Sequence, residues 1–419
     1  MANVHIVMKI TRKKHGSLYI RNVIEWIPSD RLSYVKEIGK GGFGTVSATW
    51  LDGIRKVEKI EDGHNDIYKR AREPFSIFKN LMTCKLNYTK LAIYGITQNP
   101  ETEEYLMVFQ YVNNGNLYKY LRKNFCTLTW KAKLEILKNI SYELYLIHKF
   151  AGYIHADFHS GNILQDQQTY IADLGLSRKT DEKGLKGDIY GVMPYVAPEV
   201  LSGEQQFTQA ADIYGFGAIM SEMTTGQRPF DGHEFNLKLA VKIYKGLRPE
   251  FAPETPKCYI ELAEKCMNSD PQKRPSASDI WRTIEDWLIE IDFATSSDNE
   301  FKNLLNAIDD YRIKNWHEKI THLGDNEIKN WRVKLASSNG FNEIKNWLKK
   351  MAYDCNEIAK QFIDADKVIK SLPIPKHPDE IYTSKIISTR LISKAIIAQT
   401  NSAQMNLDIT ENSSIYTTD

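Results

Sequence analysis

Short runs of apolar and β-branched residues, typical of β-strands, occupy the first quarter of the chain after an unpatterned start. The clearest runs are Leu32–Ile38, Val46–Trp50, Leu91–Ile96 and Tyr105–Phe109. Glycine-rich or proline-containing turns separate them, which is the punctuation expected between strands. The pattern therefore predicts a small β-rich unit over residues 25–112.

The apolar spacing changes to three and four residues after this unit, which is the period of amphipathic helices. The best example is the series Leu134, Leu137, Ile140, Leu144 and Ile147. Helices are predicted over 116–122, 130–150, 211–220, 235–246, 257–268 and 276–291. A larger helical unit is therefore expected to follow the strands, over residues 113–291.

A short Ile-Lys-Asn-Trp unit recurs beyond this helical part. Trp316, Trp331 and Trp347 follow one another at steps of 15 and 16 residues, about four helical turns. We expect a helical extension over 292–372, which either packs on the preceding unit or binds a partner protein. Residues 373–419 are rich in Ser, Thr and Asn and predict a mostly disordered tail.

Composition narrows the class of protein further. The 419 residues exceed the length of one ordinary domain, and the net charge of +2 favours neither nucleic acid nor a membrane surface as a partner. No apolar run is long enough to cross a bilayer. The five cysteines form no close pair, which excludes a disulfide framework or a zinc site and predicts a reducing, cytoplasmic location.

Residues 1–24 show no convincing pattern. Apolar residues there are interrupted by His5 and Lys9 and are followed by a basic cluster at 12–15. This order is the reverse of a secretory signal peptide, which starts with its basic residues. We expect a solvated N-terminal arm.

A glycine-rich turn joins the first two predicted strands. Glycines at such a turn allow the backbone to approach phosphate groups closely. A dinucleotide-binding fingerprint requires a helix after its glycines, whereas here a second strand follows. A hairpin whose tip covers phosphates is therefore favoured. Its predicted phosphate-binding residues are Gly39, Lys40, Gly41, Gly42, Phe43, Gly44 and Val46.

An acid, an amide and a second acid stand at fixed spacings in the stretch 153–175. Asp157 precedes Asn162 by five residues, and Asp173 follows eleven residues later. Oxygen donors of this kind suit Mg²⁺, which often shares its ligands with substrate phosphates. A carboxylate beside such an ion can accept a proton from an attacking hydroxyl.

Taken together, these motifs resemble the protein kinase family, and most closely the tyrosine-kinase-like branch of Ser/Thr kinases. The catalytic loop appears as His155-Ala-Asp157 with Asn162, and the metal loop as Asp173-Leu-Gly. Ala-Pro-Glu199 and the helix that starts near Asp212 follow in the family's order. The resemblance covers roughly residues 30–290. It implies an α+β, bilobal kinase fold with a small β-rich lobe and a large helical lobe.

The resemblance also implies roles for single residues. Asp157 would orient and deprotonate the acceptor hydroxyl, while Asn162 and Asp173 would bind Mg²⁺. Phe109 would be the gatekeeper beside the ATP adenine. The further residues are Gln110 and Val112, whose backbones would hold the adenine, Asp212, which would brace the catalytic loop, and Glu199 and Arg274, which would form a buried ion pair.

Three positions depart from the family's pattern. Ala156 replaces an arginine that usually pairs with a phosphorylated activation segment. His159 stands where Ser/Thr kinases have a lysine beside the transferred phosphate, and Val192 replaces the threonine that touches this lysine. The sequence around His159 also resembles that of small-molecule kinases of the same broad fold, whereas the Ala-Pro-Glu segment is typical of protein kinases.

A Val-Ala-Ile-Lys strand, whose lysine holds the ATP phosphates in the family, is missing after the glycine-rich turn. The sequence predicts that the third strand is missing between Glu73 and Phe75, either by genuine loss or through an imperfect gene model. Lys59 lies 15 residues after Gly44 and is the candidate for the missing lysine. Its surroundings are polar, so a solvated edge is the competing interpretation.

The predicted function is transfer of the ATP γ-phosphate to Ser or Thr hydroxyls of protein substrates in intracellular signalling, with ATP and Mg²⁺ as cofactors. The alternative is a pseudokinase scaffold, with little or no activity, that binds nucleotide and holds partners through its lobes and the 292–372 extension.

Overall fold

A computed structural model of the chain describes residues 2–10, 25–39, 45–50, 90–101, 105–181, 187–295, 357–368 and 371–402. Among the described residues, strands dominate before residue 111 and helices dominate after it. The predicted α+β bilobal class is confirmed. No helix within these ranges is long and apolar enough to span a membrane.

Six of the strands form one sheet in the small lobe, in the order β2-β5-β6-β1-β4-β3. Three short two-stranded sheets lie in the large lobe. The strands are β1 (Ala2–Ile10), β2 (Glu25–Trp26), β3 (Leu32–Gly39), β4 (Thr45–Trp50), β5 (Ile93–Gln98), β6 (Tyr105–Gln110), β7 (Tyr153–Ile154), β8 (Ile163–Gln165), β9 (Thr169–Ile171), β10 (Arg178–Lys179), β11 (Ile189–Gly191) and β12 (Lys385–Ile387).

Residues 2–10 form a central strand of the small lobe, which corrects the expectation of a solvated arm for this part; residues 11–24 lie outside the described residues. Strand β1 runs antiparallel to both β4 and β6 and fills the place between them. Its register pairs Val7 with Thr45 on one side and with Met107 on the other. The sheet thus contains, between β4 and β6, a strand that precedes the glycine-rich turn in the sequence.

The six helices predicted for the large lobe begin within two residues of their predicted positions. Four of them start at a polar N-cap whose side chain accepts an early backbone N–H group; these caps are Asn116, Thr129, Thr208 and Asn236. The Thr129 hydroxyl, for example, accepts the N–H of Ala132 at 3.2 Å. The helices are α1 (Leu117–Asn124), α2 (Trp130–Tyr145), α3 (Pro198–Leu201), α4 (Gln209–Thr225), α5 (Leu237–Tyr244), α6 (Lys257–Cys266), α7 (Ala277–Thr295), α8 (Glu357–Asp366) and α9 (Thr389–Ser402).

Helix α4 forms the centre of the large lobe and is buried along almost its whole length. It approaches the loop after β7 very closely at Gly215, where an added Cβ would lie 2.5 Å from the Phe158 carbonyl oxygen. Only glycine permits this approach. The contact fixes the distance between α4 and the loop that carries the candidate catalytic residues.

Helix α8 is the part of the predicted helical extension that the structure describes. Its Phe362 ring lies between Trp130 and Trp287, with ring centroids 5.6 Å and 5.5 Å away. Asp366 accepts the N–H of Trp130 at 2.8 Å and so caps α2. Helix α8 therefore packs on the large lobe; the Ile-Lys-Asn-Trp units at 300–347 lie outside the described residues.

Residues 371–402 form an ordered segment on the large lobe, in contrast to the predicted disordered tail. Strand β12 pairs with β11, and α9 packs against α5. Ile387 and Ile392 are fully buried, so apolar burial holds the segment. Its Ser and Thr residues suggested disorder because their composition does not reveal which distant surface they contact. Residues 403–419 lie outside the described part.

Candidate functional site

The Asp212 carboxylate, in the first turn of α4, holds the backbone of the predicted catalytic loop. Its oxygens accept the N–H of His155 at 2.8 Å and of Ala156 at 3.0 Å, and lie 2.9 Å from a ring nitrogen of His148. Ala156 has a φ of +67°, a left-handed conformation that costs a residue with a side chain roughly 1–2 kcal/mol. The two N–H contacts offset this strain and fix the turn.

His155 links the catalytic loop to the predicted metal loop. The ring is fully buried, and its Nε2 atom lies 3.0 Å from the Ala172 carbonyl oxygen. Burial lowers the pKa of His155, so the ring is neutral. Nε2 then carries the proton and donates to the carbonyl, while Nδ1 accepts the N–H of Asp157 at 3.3 Å.

Asp157 lies at the centre of the site and is 7% exposed. The Asn162 amide nitrogen donates to its carbonyl oxygen at 2.9 Å and contacts its Oδ2 at 3.3 Å. The Ser384 hydroxyl donates to Oδ2 at 2.7 Å. Burial raises the pKa of Asp157, but the nearby His159 and the Ser384 hydrogen bond outweigh burial and hold the pKa below its usual value. Asp157 is therefore an ionised acceptor.

His159 faces the same carboxylate from the other side. Its Nδ1 atom accepts the N–H of Gly161 at 3.0 Å, so a neutral ring carries its proton on Nε2. Nε2 lies 3.6 Å from Asp157 Oδ1 and 3.3 Å from the Ser384 Oγ atom. The ring can thus donate toward a hydroxyl that Asp157 accepts from.

Asn162 and Asp173 occupy neighbouring backbone positions across two short strands. The Asn162 carbonyl accepts the N–H of Ala172 at 2.8 Å. Asp173 is left-handed, with a φ of +54°, and its Oδ1 accepts the N–H of Gly175 at 3.4 Å. Because the Asn162 amide nitrogen is used by Asp157, its oxygen is the atom left for a cation. This set of hard oxygen donors fits Mg²⁺.

The segment after β6 resembles a hinge between the two lobes. Phe109 and Val112 are buried. The Gln110 N–H donates to the Ala92 carbonyl at 2.9 Å, and the Val112 carbonyl accepts the N–H of Gly115 at 3.3 Å. A base bound here would therefore meet the carbonyl of Gln110 rather than its N–H.

Glu199 and Arg274 form a buried, bidentate ion pair in the large lobe. Arg274 Nη1 donates to Glu199 Oε1 at 2.8 Å, and Nη2 donates to Oε2 at 2.7 Å. The same guanidinium also reaches the carbonyls of Ala210 and Asn268. These hydrogen bonds offset the free-energy cost of removing both charged groups from water. The pair ties the helix after the activation segment to the base of α4.

A second buried carboxyl on α4 stands near the site. Glu222 Oε2 accepts the Tyr195 hydroxyl at 2.7 Å, and this hydroxyl lies 3.1 Å from Ser160 Oγ. Within the described part of the chain, Glu222 Oε1 has no hydrogen-bond partner. Burial raises the pKa of Glu222 to about 7.

Several predicted site residues cannot be placed. Gly39 and Val46 lie in β3 and β4, where only the backbone path is described. Lys40, Gly41, Gly42, Phe43, Gly44 and Lys59 lie outside the described residues. Asp157, His159, Asn162 and Asp173 come together on two adjoining loops.

Sequence reasoning missed Ser384, Glu222 and the strand that contains Lys9. Ser384 lies 227 residues after Asp157 and belongs to no motif, so no local signal could reveal it. Strand β1 did offer a signal. The sequence Ile6-Val7-Met8-Lys9 resembles the Val-Ala-Ile-Lys motif. In addition, apolar residues of β1 recur with a period of two, at Val4, Ile6, Met8 and Ile10.

Comparison with known proteins places most of the chain in one family. The protein tyrosine and serine/threonine kinase family matches residues 32–284, more than half of the chain. "Probable serine/threonine-protein kinase roco5" of Dictyostelium discoideum is 31% identical over 273 residues, 59% of this chain and 9% of that protein. "Probable serine/threonine-protein kinase roco7" of the same organism is 28% identical over 276 residues, 62% of this chain and 10% of that protein.

A plant protein, wall-associated receptor kinase-like 11 of Arabidopsis thaliana, is 27% identical over 313 residues. The match covers 65% of this chain and 40% of that protein. The matches thus cover less than half the length of each of these relatives.

Substitution Glu222→Gln should remove a pH-dependent part of the stability. Glu222 has a pKa that folding raises from 4.5 to about 7. Such a group stabilises the folded state fully below pH 4.5, and this contribution disappears as the pH rises through 7. The free energy of unfolding of the wild type, relative to the variant, should fall by about 3 kcal/mol over this range. Urea unfolding of both proteins measures it; a difference that is constant with pH would contradict the assignment.

Proposed function

The chain belongs to the protein tyrosine and serine/threonine kinase family, and on that premise we propose that it transfers the γ-phosphate of ATP to Ser or Thr hydroxyls of proteins in intracellular signalling. The observation that supports this most is the ionised Asp157 carboxylate with a serine hydroxyl 2.7 Å from its Oδ2 atom. This is the contact that a general base needs with its acceptor.

The remaining chemistry follows from the same loops. Asn162 and Asp173 are proposed to hold Mg²⁺, which neutralises charge on the ATP phosphates when it is bound. Asp157 orients the acceptor hydroxyl and takes its proton. His159 occupies the sequence position of the family's lysine; its Nε2 atom lies 3.6 Å from Asp157 Oδ1 and supplies a hydrogen-bond donor there.

Lys9 is proposed to be the phosphate-holding lysine that the sequence analysis sought at Lys59. Strand β1 fills the central place in the sheet, and Val7 pairs with Thr45, the first described residue after the glycine-rich turn. Lys9 follows Val7 by two residues on this strand and lies close to the point where β4 begins. The predicted cytoplasmic location stays a prediction.

Replacement of Asp157 tests the function. Asp157→Asn removes the base and should lower the rate of phosphate transfer to casein by about 100-fold or more, since general-base contributions have that size. Transfer is measured with purified protein and labelled Mg-ATP. Asp166→Asn is the matched control, because Asp166 pairs with Asn113 outside the site. An unchanged rate in Asp157→Asn would refute the assignment, and ATP binding without any transfer would favour the scaffold alternative.

Replacement of Lys9 tests the origin of the phosphate-holding lysine. Lys9→Ala should weaken ATP binding by about tenfold or more, because a hydrogen bond to a charged group contributes roughly 1.5–3 kcal/mol. Lys59→Ala is the matched control and should bind ATP as the wild type does. Equilibrium titration with a fluorescent ATP analogue measures both. Weakened binding in Lys59→Ala alone would overturn the proposal for Lys9.

A further inference from the structure

The segment at residues 371–389, which we name the C-terminal strap, runs across the candidate site. We propose that Ser384 of this strap is an intramolecular phosphoacceptor, so that the chain phosphorylates its own Ser384. The Ser384 hydroxyl donates to Asp157 Oδ2 at 2.7 Å, and its Oγ atom lies 3.3 Å from His159 Nε2. The inference rests on the proposed kinase activity and names one of its substrates.

The strap is bound in the manner of an extended peptide substrate. Strand β12, directly after Ser384, pairs antiparallel with β11 of the activation segment. Lys385 is opposite Gly191, and Ile387 is opposite Ile189. Main-chain pairing of this kind is a common way for an enzyme or domain to hold an extended peptide. Ile387 is fully buried, which fixes the register and hence the position of Ser384.

Residues that precede Ser384 hold the strap on the N-terminal side of this serine. The guanidinium of Arg228 lies over the Tyr118 ring at 3.6 Å and over the Tyr382 ring at 4.5 Å, and it forms an ion pair with Asp379. The Tyr382 hydroxyl donates to the Pro229 carbonyl at 3.2 Å. The cation lies between two aromatic rings, an arrangement that stabilises a partly buried charge.

Two further anchors hold the strap at positions more distant from Ser384, one before it and one after it. Asp231 accepts the N–H groups of Lys376 at 2.8 Å and His377 at 2.9 Å. After β12, the Thr389 hydroxyl donates to the Gly187 carbonyl at 3.1 Å. Contacts on both sides of Ser384 therefore determine its position, and the hydrogen bond to Asp157 is a result of this placement.

The reaction requires only Mg-ATP in addition to the groups present. Ser384 Oγ attacks the γ-phosphorus of ATP and forms a new O–P bond. The bond between the γ-phosphorus and the β–γ bridging oxygen breaks, and ADP leaves with that electron pair. The hydroxyl proton passes to Asp157 Oδ2 and then to solvent. The strap holds the acceptor within the same molecule, which gives it a high effective concentration relative to any external protein.

A segment that only blocked the groove would need no hydroxyl at this position. Here the hydroxyl proton is directed at the candidate base, and the oxygen is contacted by the His159 ring. These are the two contacts that an acceptor needs before transfer. The geometry therefore favours a substrate over a pure inhibitor.

The test follows two acceptors in one reaction. Dephosphorylated full-length protein is incubated with Mg-ATP and casein, and mass spectrometry quantifies phosphate on casein and on each strap residue. We expect phosphate on Ser384 with a first-order rate constant that is unchanged over an about tenfold dilution, since the reaction is intramolecular. Ser384→Ala should lose the strap phosphate. Thr383→Ala, the matched neighbouring hydroxyl, should retain it.

A mixing experiment separates transfer within one molecule from transfer between molecules. Heavy-isotope-labelled Asp157→Asn protein is added to the wild type, and its Ser384 should stay unmodified. Phosphate on that chain, or a rate constant that rises with protein concentration, would overturn the intramolecular proposal. Phosphate on casein without phosphate on Ser384 would overturn the inference and leave the proposed function intact. Transfer to neither acceptor would overturn both.

Discussion

The structure of the site depends on one buried carboxylate, that of Asp212 in α4. It accepts the N–H groups of His155 and Ala156 and so holds the catalytic loop in a left-handed turn at Ala156. An unsupported turn of this kind would cost of order 1–3 kcal/mol and would relax. The turn places Asp157 beside Asn162, and the neutral His155 ring then connects this loop to the metal loop through Ala172.

Contiguous motifs could be predicted from the sequence because neighbouring residues fix their geometry. The spacing of Asp157, Asn162 and Asp173 indicates a catalytic loop and a metal loop. The four strands predicted for the small lobe and the six helices predicted for the large lobe lie close to observed elements. These features depend on short-range periodicity and on side chains within one turn of each other. The order of the kinase-like motifs could likewise be read directly from the sequence.

Long-range pairing could not be predicted in the same way. Strand β1 lies before the glycine-rich turn, so a search for the third strand after that turn could not find it, although Val4 to Ile10 alternates with a period of two. The position of Ser384 depends on the pairing of β12 with β11 across almost half of the chain. The polar composition of the tail predicted disorder, but the burial of Ile387 and Ile392 stabilises it as an ordered segment.

The departures from the family's pattern are consistent with this arrangement. Ala156 cannot bind a phosphorylated activation segment as an arginine would. In this chain the activation-segment strand β11 is instead completed by β12, which satisfies an otherwise open edge. His159, in place of the lysine, is anchored by Gly161 and faces the Ser384 hydroxyl. Contacts from β12 and Ser384 of the same chain therefore order the site.

The most direct test of this central role is the substitution Asp212→Asn. An asparagine has one acceptor oxygen and no charge, so it cannot hold both N–H groups and the His148 ring as the carboxylate does. The turnover rate kcat for casein phosphorylation should fall by about tenfold or more, while the KM for ATP stays close to that of the wild type. The buried Glu199–Arg274 pair should keep the large lobe folded, as near-ultraviolet circular dichroism would show. A folded Asp212→Asn protein with the wild-type kcat would contradict the claim that this carboxylate sets the geometry of the site.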